Sequence, residues 1–380
     1  MNDTMDNSID AKSHGGRLAS IDALRGFDMF FITGGSGIIA GLCKGFGFGD
    51  CWLARQMAHV PWAGLAHHDT IFPLFLFLAG VSWPFSLASQ RKRGLTSPMI
   101  HLRVVKRALV LFFLGMTIGG VLGFTGEFRI PSVLGQIGVS WGVAALLYMH
   151  VRKPLLRGLV VAAVLVGYWL LLAFTGAPDA PAGADLFSQE WNVISWLDRT
   201  VMPNYIYVKG VYDPESLFSI PPGIALAMLG MSAGSVLVSS RWSGVRKTIL
   251  LLYASGAMLV AGFVFMFVLG MPIVKALWTS SFVLVTAAYS FAMLAVFYWV
   301  VDVKGWSRWA FYFKVIGMNS IAIYMLMRIG VIDALKAYFL KGLVSKAAES
   351  WGLFANSLAL QVVCWVVLYA FYRRKVFLKV

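Results

Sequence analysis

Apolar residues form long runs along most of this chain, and short polar stretches separate the runs. A helix that crosses the hydrocarbon core of a bilayer needs roughly 20 mostly apolar residues. Ten runs approach that length, at 26–42, 70–89, 104–124, 131–149, 155–175, 220–239, 247–270, 279–301, 310–328 and 353–372. The pattern predicts an all-α integral membrane protein with about ten transmembrane helices.

The remaining segments complete the domain organisation. Residues 1–20 are polar and contain no apolar core, which predicts a cytoplasmic N-terminal tail rather than a cleavable signal peptide. Residues 21–380 show no internal repeat and are predicted to form a single polytopic membrane domain. Within it, residues 330–350 alternate apolar and Lys positions, as in an amphipathic helix at the membrane surface.

Composition and charge support this interpretation. The chain is 59% hydrophobic and 13% charged, whereas soluble domains carry about 25% charged residues. With the N-terminus in the cytoplasm, alternating spans would place 22 of the 32 Lys and Arg residues on the cytoplasmic side. This excess predicts that both termini are cytoplasmic. The net charge of +15 therefore points to contact with membrane lipid and not to a nucleic-acid partner.

With this topology, polar groups from four loops meet on the extracytoplasmic side. His59, His67, His68 and Asp69 precede the second run, Arg129 precedes the fourth, Asp213 and Glu215 precede the sixth, and Lys275 and Trp278 precede the eighth. Ionisable groups at the edge of a bilayer are costly unless they have partners or a function. Their convergence predicts a site for a polar substrate.

Each of these groups also has a plainer interpretation. His59 would be an interfacial histidine, Asp69 a helix cap, and Lys275 with Trp278 an interfacial anchor. Asn319, inside the ninth run, would bond to a neighbouring helix. Asp22 and Arg25 stand three residues apart and are predicted to form a structural ion pair.

Several other chemistries are excluded by their missing motifs. The sequence contains no glycine-rich phosphate loop followed by Lys-Ser/Thr, no H-E-x-x-H and no G-x-S-x-G. Three cysteines, at 43, 51 and 364, are too few for a disulfide framework or a cysteine zinc cluster. No metal is expected. Pairing of Cys43 with Cys51 and two free thiols both remain open.

Seven segments in order resemble the heparan-α-glucosaminide N-acetyltransferase family and its bacterial relatives. They are RLASIDALRGFDMFFI (17–32), HVPWAGLAHHDTIFPLFLFLAGVS (59–82), RIPSVLGQIG (129–138), YDPESLFSIPPGIALAMLGMSAG (212–234), LWTSSFVL (277–284), DVKGW (302–306) and GMNSIAIY (317–324). The resemblance implies an acetyltransferase that uses cytosolic acetyl-CoA as co-substrate. It implies an amino sugar or glycan acceptor, with glucosamine-type amino groups, on the far side of the membrane.

The resemblance also assigns residues. The catalytic histidine of the family motif H-x-x-W-x-G matches His59, with Trp62 and Gly64, and the Asp of D-x-x-F-P matches Asp69. Trp62, Arg129, Asp213, Glu215, Lys275, Trp278 and Asn319 are then expected to bind substrate. The acids would bind the sugar by hydrogen bonds, Trp278 would stack on it, and Asn319 would polarise the thioester. The family pattern further implies a homodimer, and the compact form of the chain implies a bacterial inner membrane.

Three alternatives stay open at this point. His59 would act either as a general base or as a carrier of the acetyl group. N- and O-acetylation are not distinguished. In a second interpretation the protein is an inner-membrane transporter for N-acetylglucosamine or related sugars, whose pathway the same polar groups line.

Overall fold

The computed structural model describes residues 18–123, 128–208 and 210–378, and its regular elements there are helices. The first eight are α1 (Ala19–Phe30), α2 (Ser36–Gly45), α3 (Trp52–Gln56), α4 (His67–Lys92), α5 (Ser97–Ile118), α6 (Val133–His150), α7 (Pro154–Phe174) and α8 (Val193–Val201). The others are α9 (Ile220–Val238), α10 (Gly244–Phe263), α11 (Ser280–Phe297), α12 (Phe311–Met318), α13 (Ser320–Arg328), α14 (Val331–Val344) and α15 (Gly352–Arg373). The predicted all-α class is confirmed.

Eight helical stretches in the described part of the chain are long and apolar enough to cross a bilayer. They are Ala19–Gly45, His67–Lys92, Val133–His150, Pro154–Phe174, Leu217–Val238, Gly244–Val268, Ser280–Val303 and Glu349–Arg373. Each corresponds to one of the ten predicted runs. The protein is therefore an integral membrane protein, whereas the count of ten and the sidedness of the termini stay predictions.

The other two predicted runs differ from simple spans. The run at 104–124 overlaps α5, which is a continuous helix. The helix contains the charged residues Arg103, Lys106 and Arg107. The run at 310–328 breaks at Asn319, whose φ of −129° and ψ of 34° end α12 and begin α13. The result is one charged helix and two short ones in place of two uniform spans.

α4 lies at the centre of the bundle and packs most extensively against α9. Glycines permit this contact, because a Cβ added at Gly80 or Gly230 would overlap a backbone carbonyl of the other helix. α4 remains one helix over 26 residues although it contains Pro73 and Pro84. His67, His68 and Asp69 therefore begin a helix that packs against several others in the bundle.

A deviation in the first span affects the site directly. One turn of π-helix, Phe31–Gly35, joins α1 to α2, and Gly34 has a φ of 137° that favours glycine. Such turns often occur at functional sites. Here the turn leads into α2 at Ser36, whose Oγ lies 2.9 Å from Nδ1 of His68.

A predicted ion pair and a predicted amphipathic segment lie in the described part of the chain. Asp22 and Arg25 form the expected ion pair at 3.6 Å. The amphipathic segment at 330–350 contains α14, which exposes Tyr338 and Phe339 to the surroundings.

Candidate active site

The loop that carries His59 docks onto the segment that carries Lys275. The Gly64 N–H donates a hydrogen bond to the Ile273 carbonyl at 2.8 Å, and Ala63 forms an antiparallel bridge with Val274. Gly64 has a φ of 123°, a backbone conformation that favours glycine. This docking brings His59 next to Lys275, although the two residues are 216 positions apart in the sequence.

His59, Asp69 and Lys275 form one cluster. Oδ1 of Asp69 lies 2.7 Å from Nδ1 of His59 and 3.3 Å from Nζ of Lys275. Nζ of Lys275 also lies 2.9 Å from Nδ1 of His59. Because a carboxylate at this distance needs a proton on Nδ1, we assign the neutral imidazole its lone pair on Nε2. The half-exposed His59 is thus oriented by a fully buried carboxylate.

Asp69 has a second contact set at the start of α4. Its Oδ2 accepts hydrogen bonds from the backbone N–H groups of Ala66 at 3.1 Å and Val60 at 3.4 Å. This is the capping role that the sequence offered as the alternative interpretation. The N-terminus of a helix also favours a negative charge. One carboxylate therefore both caps the helix and contacts the histidine.

Opposite charges are balanced around His59. Burial lowers the pKa of Lys275, and the negative charges of Asp69 and Glu215 oppose that shift. The side chain of Lys275 is only 18% exposed. The ammonium of Lys275 lies beside the buried carboxylate of Asp69, and their opposite charges largely cancel. The imidazole of His59 contacts both groups and is itself half-exposed.

Arg129 fixes a second group of acids next to this cluster. Its guanidinium binds both Asp213 and Glu215, with Nε donating to Oδ2 of Asp213 at 2.7 Å. Burial alone would lower the pKa of Arg129, but the bonds and charges of the two acids hold it above its ordinary value. Asp213 also accepts the backbone N–H groups of Tyr207 and Glu215, both at 2.8 Å. Arg129 and Asp213 thus hold the loop, and Glu215 reaches the site.

Asp198 was not singled out in the sequence, although it supports this loop. Its Oδ1 accepts the hydroxyl of Ser216 at 2.7 Å, and its Oδ2 accepts the backbone N–H of Asp213 at 3.2 Å. Burial raises the pKa of Asp198 to about 7, against the effect of the Ser216 hydrogen bond. No motif marks this residue, since it lies in the long polar connection between α7 and α9.

Three predicted binding residues lie in different surroundings. Trp62 is partly buried, donates its Nε1–H to the Phe187 carbonyl at 2.8 Å and contacts the Tyr212 ring edge-on at 5.1 Å. Trp278 is buried in the core against Phe72 and does not line the cavity near His59. Asn319 donates to the Val376 carbonyl and accepts from the Leu378 N–H, both at 3.0 Å.

A cavity of about 360 Å³ begins at the cluster and continues between the helices. Its polar lining consists of His59, His68, Lys275, Glu215, Ser320, Tyr324 and Arg328. Apolar side chains line the rest, among them Met29, Ile32, Phe72, Phe75, Ile137 and Met327. Within the described residues, His, Cys, Asp and Glu side chains form no group of three arranged to hold a metal ion. The cavity therefore joins a charged mouth to an apolar interior.

Comparison with known proteins relates the sequence of the chain to a family. No protein-family profile matches the chain. The heparan-α-glucosaminide N-acetyltransferases of Homo sapiens and Mus musculus are each 27% identical to it, over 96% and 97% of its length. The chain is related to this family. The chain spans 60% and 61% of the length of these two relatives.

One residue of the site was seen in the sequence but given no role. His68 lies beside the His59 ring, with ring centroids 4.5 Å apart, and is held by Ser36. Sequence position alone could not reveal this, because Ser36 follows a π-turn and His59 lies in a separate loop. The HHD triplet at 67–69 was the available signal.

Proposed function

We propose that this protein is a membrane acetyltransferase that moves an acetyl group from cytosolic acetyl-CoA to the amino group of a glucosamine-type sugar on the extracytoplasmic side. The observation that carries the proposal is the Asp69–His59–Lys275 cluster at the mouth of a cavity that enters the bundle. The choice of an acetyl group and of a glucosaminide acceptor follows the named activity of the two relatives. The bacterial inner membrane and a homodimeric state belong to this proposal.

His59 is the proposed catalytic residue, and Asp69 its positioning residue. With Nδ1–H bonded to Asp69, Nε2 carries the lone pair that would take the proton of an attacking amine. Nζ of Lys275 lies 3.4 Å from this atom, so the amine would approach beside the ammonium group. Asp69 stabilises the imidazolium that forms, as a carboxylate does in hydrolase triads. Lys275, whose Nζ lies next to the ring, would stabilise the negative charge that develops on the thioester oxygen.

The two parts of the cavity suit the two substrates. Glu215 and the polar mouth fit an amino sugar, because a carboxylate attracts its ammonium form. The apolar interior fits the uncharged arm of acetyl-CoA, which would bring the thioester to His59. Trp62 is partly exposed and follows His59 by three residues, and we propose that its ring offers a surface for the sugar.

The test is an acetyl-transfer assay on the purified full chain, with labelled acetyl-CoA and a panel of glucosamine acceptors. We expect His59→Ala to lose about 10²–10⁴-fold in rate, the range typical of general-base removal. His150→Ala is the matched control, since His150 lies exposed at the end of α6, where its Nδ1 lies 2.8 Å from the Leu146 carbonyl and its ring stacks on His101. Equal activity of His59→Ala and wild type would refute the proposed role.

The same preparation separates the remaining alternatives. Label retained on His59 in the absence of acceptor would indicate an acetyl-histidine route, and its absence with full turnover would indicate direct transfer. The position of the label on the product distinguishes N- from O-acetylation. Specific sugar binding without any acetyl transfer would instead support the transporter interpretation.

A further inference from the structure

A second histidine faces the cavity from α4. His68 lines the same cavity as His59, and the two ring centroids are 4.5 Å apart with an angle of 58° between the rings. Nδ1 of His68 lies 2.9 Å from Oγ of the buried Ser36. The ring is therefore fixed by its own partner, independently of the Asp69–His59 contact.

N-acetylation of an amine requires more than one proton transfer. An acceptor amine is protonated near neutral pH, so its nitrogen must lose two protons before it carries an acetyl group as a neutral amide. The N–C bond forms as the thioester C–S bond breaks, and the CoA sulfur takes up one proton. The other proton leaves to solvent. His59 alone can hold only one of the two at a time.

We propose that His68 is a second proton acceptor that converts the bound ammonium form of the acceptor to the free amine before His59 acts. This inference rests on the proposed function. The role requires Nδ1–H of His68 to donate to Ser36, which leaves Nε2 as the basic atom. His59 then removes the second proton during attack and delivers it to the CoA thiolate.

The charges around His68 make the two transfers sequential. Several titratable and charged groups face His68 or share its cavity. They are His59 from the loop, His67 and Asp69 from α4, Lys275 from the 271–279 segment, Glu215, and Tyr324 and Arg328 from α13. Two protonated rings 4.5 Å apart would repel each other, and Lys275 adds a further positive charge. His68 must therefore release its proton to the open mouth before His59 becomes protonated.

The experiment is the pH profile of kcat/KM for wild type, His68→Asn and His68→Gln. Asn keeps a donor for Ser36 but has no basic atom. At pH 6 we expect both variants to be about 10²-fold slower, the lower range for loss of a proton acceptor. At pH 9, where the acceptor amine is already deprotonated, the defect should shrink to within about threefold.

A weakly basic aromatic amine gives the second readout. This acceptor is unprotonated at neutral pH, so the His68 variants should use it as well as wild type does. His59→Ala should be slow with both acceptors at every pH. A His68 defect that is the same at all pH values, or no defect at pH 6, would overturn the inference. No transfer by wild type with any acceptor would instead overturn the proposed function, and this inference with it.

Discussion

Replacing Asp69 with Asn tests the central cluster most sharply. The amide has the same shape but only one acceptor oxygen, and the backbone N–H groups of Ala66 and Val60 require that oxygen. The NH₂ group of the new side chain then faces His59. To accept a hydrogen bond from this NH₂ group, Nδ1 of His59 must carry a lone pair and no proton. Lys275, at 2.9 Å from Nδ1, would donate to the same lone pair. Both contacts favour the tautomer that carries its proton on Nε2, and this tautomer cannot act as the base.

The magnitude follows from the distance. At 2.7 Å and an effective dielectric constant of about 20, Asp69 attracts a protonated His59 by about 6 kcal/mol. His59 is 54% exposed, so solvent reduces this to about 3 kcal/mol, a factor of about 10² in rate. The wrong tautomer adds to the loss, as in triads where it reaches about 10⁴. We expect kcat to fall by about 10³ for Asp69→Asn.

The assay is acetyl transfer with thermal unfolding measured on the same samples. Asp333→Asn is the matched control, because Asp333 is an exposed carboxylate that pairs with Lys336 at 2.9 Å. Exposed pairs contribute little, so this control should keep wild-type activity. If Asp69→Asn retained more than a tenth of kcat while its unfolding midpoint fell, Asp69 would be a helix cap and no more.

Two further predictions concern stability. Because burial raises the pKa of Asp198 to about 7, the native state keeps this proton between about pH 4 and pH 7 while the unfolded chain releases it. The free energy of unfolding should therefore fall as pH rises through that window, by on the order of a few kcal/mol, and Asp198→Asn should flatten the dependence measured by thermal unfolding. Gly26→Ala would overlap the Phe313 carbonyl and should destabilise the protein by about 1–3 kcal/mol. In Gly256→Ala, where a Cβ meets open space, the unfolding midpoint should not fall.

The sequence predicted which polar residues lie near one another better than it predicted which of them line the cavity. His59 and Asp69 could be chosen because ionisable groups beside an apolar run are costly, and the structure brings them to 2.7 Å. Lys275 was grouped with Trp278 by adjacency, yet one lines the cavity and the other is buried in the core. Residues close together in a loop can point in opposite directions, and local sequence does not reveal which one faces the cavity.

Hydrophobic periodicity by itself determined the all-α membrane class, because a bilayer accepts long apolar helices that satisfy their own backbone hydrogen bonds. Only the tertiary structure decided that Asn319 breaks the predicted ninth span and binds the C-terminal segment. It alone revealed that the π-turn at Phe31–Gly35 leads to Ser36 beside His68. These contacts join residues distant along the chain, so they depend on how the helices pack. Local hydropathy carries no information about that packing.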